Sequence, residues 1–176
     1  MRGADFSRSM ANLNIQITSS AGEGSTLLSA FDCALQNAGV SNYNLLRLSS
    51  IIPPNSKIEK SSRYQTPPSE FGHKLYVVMA DVRSSKVGKF IGAGIGWYQL
   101  EDKRGFFVEH EAIGSTRLAV ESELNSRIKH SLKDMCKFRN IEFDEKNLNS
   151  STSFAKVKSK PACALVLAVY QSEGWK

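Results

Sequence analysis

The sequence is poor in the residues that build metal centres and disulfide frameworks. Its three cysteines, Cys33, Cys136 and Cys163, are far apart, and their odd number argues against a disulfide scaffold and fits a reducing compartment. His73, His110 and His130 have no metal-ligand spacing either, so no metal is expected. The apolar segment 162–170 is too short to cross a bilayer, and no membrane partner is expected. Arg2 and Arg8 are followed by no long apolar stretch. Residues 1–12 therefore read as a flexible leader rather than a signal peptide, with the cytoplasm as the default location. Zinc-finger spacing, an RNA-binding aromatic signature and a helix-turn-helix pattern are all missing, so nucleic acid is not an expected partner. The run GAGIG at 92–96 lacks the strand–turn–helix context of a dinucleotide site. No repeat or linker divides the chain, and residues 13–176 read as one domain.

What is present is ordinary for a folded protein. The 176 residues are 41% hydrophobic and 23% charged, enough to bury a core in one domain. The formal net charge is +6, with Lys156, Lys158 and Lys160 close together. Such a run reads as a solvated face. A basic surface attracts a carboxylate and repels a cation, so any cationic ligand would need local acidic groups.

Periodicity places the elements. Residues 13–19 alternate like a half-buried strand, and the glycine-bearing AGEGS reads as a turn. Residues 26–38 read as a helix with Leu28, Phe31 and Leu35 as its apolar stripe and Gly39 as its stop. Residues 43–49 form a second strand, ended by Pro53 and Pro54. Polar residues 55–72 read as a surface loop. Strands follow at 73–82, 88–100 and 105–114; glycines 92, 94 and 96 leave one strand face bare for close packing. Ser115 is the expected cap of a long helix reaching Phe138, with Leu124, Ile128, Leu132 and Met135 facing the core. Residues 151–158 read as an edge strand and 162–170 as a buried central one. The order implies an α+β domain with helices covering sheets.

The segment Asn44-Leu-Leu-Arg-Leu-Ser-Ser-Ile-Ile-Pro-Pro54 stands out. By itself it is a strand running into two serines and a stiff double proline. Together with GEGSTLLSAFDCALQNAGVSNY upstream and FFVEHEAIG at 106–114, it resembles the pyruvoyl-dependent arginine decarboxylases, over about residues 13–170.

That resemblance implies a four-layer αββα sandwich, trimeric or a dimer of trimers, with active sites between neighbouring protomers. It implies autocatalytic cleavage of a zymogen between Ser49 and Ser50, giving fragments 1–49 and 50–176. In that chemistry the Ser50 hydroxyl attacks the Ser49 carbonyl, the peptide becomes an ester, and elimination and hydrolysis leave a covalent pyruvoyl (pyruvate) cofactor at residue 50. Asn44 would stabilise the oxyanion during cleavage. The cofactor would hold the substrate as a Schiff base and act as electron sink. Glu109 would supply the proton after carbon dioxide leaves, with Glu111 on the same strand face able to raise a neighbouring carboxyl pKa. Asp32 would pair with a guanidinium, Leu28 and Leu35 would hold its methylene stem, and Tyr43 and Ser49 would complete the substrate site. Tyr43 and Ser41 stand where a relative carries smaller residues. The implied reaction is arginine to agmatine and carbon dioxide, a step towards polyamines or acid resistance. The alternatives are another amino acid substrate with the same cofactor, or an unprocessed, noncatalytic binding or assembly protein.

Overall fold

A computed structural model describes residues 12–176, so the expected leader lies almost wholly outside the described residues. In chain order the elements are β1 (Asn14–Glu23), α1 (Leu27–Ala38), β2 (Asn44–Arg47), β3 (Ile51–Ile52), β4 (Lys57–Lys60), β5 (Lys74–Ser84), β6 (Phe90–Gln99), β7 (Gly105–Gly114), α2 (Arg117–Phe138), β8 (Leu148–Lys156) and β9 (Ala162–Glu173). They form a five-stranded sheet ordered β2-β5-β9-β1-β4 and a four-stranded sheet ordered β3-β7-β6-β8.

Strand periodicity decides what faces what. Ile15 and Ile17 of β1, Val78 and Ala80 of β5, and Val166 and Ala168 of β9 turn inward and meet Ile91, Ile95 and Phe107 of the second sheet. The alternate residues Val77, Leu165 and Leu167 face outward and receive Ala30, Ala34 and Ala38 of α1. On the far side, Ile128 and Leu132 of α2 cover Phe106 and Val108 of β7. The layers therefore run α1, first sheet, second sheet, α2, in one α+β domain. β9 is buried on both faces, which explains its unbroken apolar run. No helix among the described residues is long and apolar enough to cross a membrane.

Several local expectations are corrected. β1 continues through Gly22 to Glu23, paired with β9, and the turn comes only after it. Gly22 is there for close approach: a Cβ would meet Ala30 O at 2.5 Å and the Cys33 carbonyl carbon at 2.8 Å, so α1 rides directly on the strand. That close seat selects the small face of α1. Ala30, Ala34, Leu35 and Ala38 are buried, whereas Leu28 is 69% exposed and Phe31 only partly covered. Thr26 caps α1 in a capping box with Ser29, and Gly39 at φ 85° ends it as expected.

Within the expected loop 55–72, Lys57–Lys60 forms a parallel edge strand beside β1. Its alternation of charges with Ile58 hides it from a hydrophobicity reading. The cap of α2 is Thr116, whose hydroxyl accepts from Ala119 N at 3.2 Å, and not Ser115. Val120, Leu124, Ile128, Leu132 and Cys136 form its buried stripe, with Met135 only partly covered. Glycines 92, 94 and 96 do serve close packing against α2: a Cβ at Gly92 would stand 2.7 Å from Val120.

Candidate active site

The chain changes sheets between residues 48 and 51. β2 pairs in parallel with β5 at the edge of the first sheet, and Leu48 N still donates to Val77 O at 2.8 Å. β3 belongs to the second sheet, with Ile51 opposite Phe106 and Ile52 opposite Gly105 of β7. Ser50 O accepts from Phe107 N at 2.8 Å. The Ser49–Ser50 peptide is thus suspended between two anchored ends, one in each sheet. Ser50 has φ 67°, in the left-handed region. A non-glycine residue held there stores on the order of 1–3 kcal/mol, unless a tight turn relieves it, and persists only where its surroundings dictate it.

The Ser50 hydroxyl donates to Glu109 Oε1. Residues 107, 109 and 111 of β7 share the face turned towards the first sheet, while His110 turns to α2, where its Nε2 lies 2.9 Å from Ser131 Oγ. Because β3 covers only the start of β7, the strand is a free edge beside Ser50, and a cleft of about 420 Å³ opens there. Ser50 and Glu109 line it together with Ser131, Asp134, Met135 and Phe138 of α2. Burial, with a smaller contribution from Arg127, lowers the His110 pKa, so this ring favours its neutral form.

A charged cluster flanks the crossing. Asp81 of β5 accepts from Arg47 at 2.5 Å and from Arg83 at 2.9 Å. Glu111 lies near it. Desolvation first, then the Asp81 carboxylate, raise the Glu111 pKa; Arg47 acts in the opposite direction, and the charge of Glu109 adds the smallest contribution. The raised carboxyl on this strand is therefore Glu111, and burial and Asp81 raise it far more than its strand neighbour does. Tyr170 of β9 reaches across from the first sheet: its hydroxyl donates to Ile51 O at 2.9 Å, and its ring meets Phe107 edge-on at 6.2 Å between centroids. Burial, and then the charge of Glu109, raise the Tyr170 pKa, so it remains a donor.

Other expected site residues lie elsewhere in the single chain. Asn44 Nδ2 donates to Gly72 O at 2.7 Å, and Asn44 does not line the Ser50 cleft. α1 sits on the outer face of the first sheet, with Leu28 and Asp32 solvent-exposed and Leu35 in the core. Tyr43 is also core: it is 8% exposed, packs against Tyr64 and donates its hydroxyl to Glu70. Ser49 is exposed beside Ser50. One chain therefore brings together Ser49, Ser50 and Glu109, and leaves Asp32, Leu28 and Asn44 outside that cleft. Sequence reasoning missed Tyr170, Arg47 and Asp81. None of the three carried a local signal, because each takes its place from pairing between distant strands.

The arrangement fits a group made from the chain itself. A serine hydroxyl rests on a carboxylate, its own carbonyl is held by a backbone amide, and the residue itself is held at a positive φ. Fold and site together define an α+β sandwich with a constrained serine, hydrogen-bonded to a glutamate, at the crossing between its sheets.

The comparisons make this specific. Residues 14–174 match the family model described as pyruvoyl-dependent arginine decarboxylase, and the chain belongs to that family. It is similar to the pyruvoyl-dependent arginine decarboxylases of Thermoplasma volcanium, 35% identical over 61% of this chain and 60% of that protein, and of Methanothermobacter thermautotrophicus, 32% identical over 76% and 82%. That of Thermococcus kodakarensis is 30% identical over 84% of this chain and 87% of its own length. The matched region is thus less than two thirds of the Thermoplasma relative.

Proposed function

We propose that this chain cuts itself between Ser49 and Ser50, carries the resulting pyruvoyl group at residue 50, and decarboxylates arginine to agmatine and carbon dioxide. The observation that carries this reading is Ser50, at φ 67° with its hydroxyl on Glu109. Glu109 is placed to take the hydroxyl proton as Ser50 Oγ attacks the Ser49 carbonyl carbon. In the mature protein the same carboxyl would lie beside residue 50 and would supply the proton that the reaction needs. The pyruvoyl group supplies the electron sink for the bond to the departing carboxylate. Phe107 N–H keeps the carbonyl of residue 50 in place. The α2 wall, with Met135 and Phe138, bounds one side of the cleft.

Arginine selection rests on Asp32 and Leu28, supplied by a neighbouring copy in a trimeric assembly. Two observations support that division. In one chain these residues are exposed on the outer side of the first sheet, and the β2 edge exposes Leu46 (41%) and Leu48 (36%) next to the cleavage point. An aspartate pairs well with a planar guanidinium. Asn44 would likewise act on a neighbour's cleavage site. Tyr43 faces the core, which supports a pocket whose cation preference does not depend on that departure from the relatives.

The test combines mass and product. Intact mass under denaturing conditions should give fragments 1–49 and 50–176, the second blocked at its first residue, and the mature protein should release carbon dioxide from arginine. The Ser50→Ala chain should stay whole and release none. A wild-type chain that remains whole after long incubation would sink the reading.

A further inference from the structure

The mechanism above leaves Tyr170 without a task, although it is the group through which the first sheet grips the turn after Ser50. We propose that Tyr170 is a positioning residue for self-cleavage: its hydroxyl, bonded to Ile51 O at 2.9 Å, fixes the segment after Ser50 so that Ser50 stays at φ 67° over Glu109. This role rests on the self-cleavage reading.

Two successive carbonyls are held from opposite sheets. Ser50 O is held by Phe107 N at 2.8 Å from the second sheet, and Ile51 O by Tyr170 from the first. Two fixed carbonyls in a row fix the orientation of the chain beyond Ser50 Cα. Leu48 N, bonded to Val77 O at 2.8 Å, fixes the chain before Ser49. The torsions of Leu48, Ser49 and Ser50 between these anchors must close the span, and the closed span holds Ser50 at φ 67°, in the left-handed region. β3 has only two residues, so its pairing with β7 is a weak anchor by itself. Without the Tyr170 bond, the turn can relax towards negative φ. The Phe107–Tyr170 ring contact at 6.2 Å and the burial that keeps the phenol protonated make the hydroxyl a fixed donor.

Both covalent steps depend on this geometry. In the first, Ser50 Oγ bonds to the Ser49 carbonyl carbon, the bond from that carbon to Ser50 N breaks, and the hydroxyl proton passes through Glu109 to the freed nitrogen. In the second, a base takes the Ser50 Cα proton, the Cβ–Oγ bond breaks with its electron pair leaving on the new Ser49 carboxylate, and the enamine left behind takes a proton at Cβ to become an imine. Water then replaces the nitrogen, which departs as ammonia. During the second step negative charge develops on Ser50 O, the atom that the Phe107 amide already holds. No oxidant or reductant is involved.

The experiment follows newly synthesised full-length chain by intact mass over time, with and without hydroxylamine, which cleaves the ester. Tyr170→Phe keeps the ring and removes the hydroxyl. It should slow cleavage about tenfold, the worth of one hydrogen bond. Hydroxylamine-induced cleavage at Ser49–Ser50 should fall in step, because less ester forms. Tyr98→Phe is the control: the Tyr98 hydroxyl also bonds a backbone carbonyl, Glu142 O at 3.3 Å, but on the α2 side. Its loss should leave the cleavage rate unchanged. Wild-type cleavage kinetics in Tyr170→Phe, or equal slowing in both variants, would overturn the positioning role. A wild-type chain that never cuts would remove the self-cleavage reading and this role with it.

Discussion

Glu109 and Glu111 stand two residues apart on one face of β7 and meet different surroundings. Glu109 touches the Ser50 hydroxyl, so Glu109→Gln should slow self-cleavage by roughly a hundredfold or more, read as the half-time of the intact chain. Glu111 meets desolvation and the Asp81 carboxylate, which raise its pKa. As pH climbs above the ordinary carboxylate range, the unfolded chain gives up this proton before the folded chain does. The folded state therefore loses stability through the window up to the raised value. Glu111→Gln should melt closer to wild type below that window and gain on it above, a trend that thermal melts across pH would show. Ser50 and Glu109 were legible in the sequence because they sit in short, contiguous motifs. Tyr170 was not, because its meaning comes from the register that carries the end of β9 across to Ile51, more than a hundred residues earlier in the chain.

At the scale of elements, legibility followed burial. β7 was found with its bounds intact and β9 as a central strand, because their apolar content leaves one solution. α1 was found in length but not in rotation. Its large residues suggested the buried face, whereas Gly22 lets the alanine face sit closer to β1. β4 escaped notice since an edge strand of alternating charge has the composition of a loop. The glycine face of β6 gives a sharp test. A Cβ at Gly96 would collide with the Ile128 side chain and stand 3.2 Å from Val108. Gly96→Ala should lower stability by about 1–3 kcal/mol, measured by denaturant unfolding of the uncut Ser50→Ala background.

For the whole molecule, the decisive feature is where the chain passes from one sheet to the other. The residues before Ser50 contribute β1, α1 and β2, all to the first sheet and its covering helix. β1 lies between β9 and β4, and β2 lies on β5, so partners from beyond Ser50 hold the early segment on every side. β9 pairs with β1 on one side and β5 on the other, and so joins the chain before Ser50 to the chain after it. A cut at the crossing would leave every ladder hydrogen bond in place.

Such a cut would nevertheless change the order of the folding reaction. One chain finds its partners by searching within itself; two must first collide. The unfolding midpoint of the cut protein should therefore climb with concentration more steeply than that of the uncut Ser50→Ala chain. Recovery after unfolding should slow on simple dilution, with a half-time inversely proportional to concentration. A cut at the crossing would thus be a point of no return: the assembled shape would persist, while the route by which it was reached would no longer be open at the same speed.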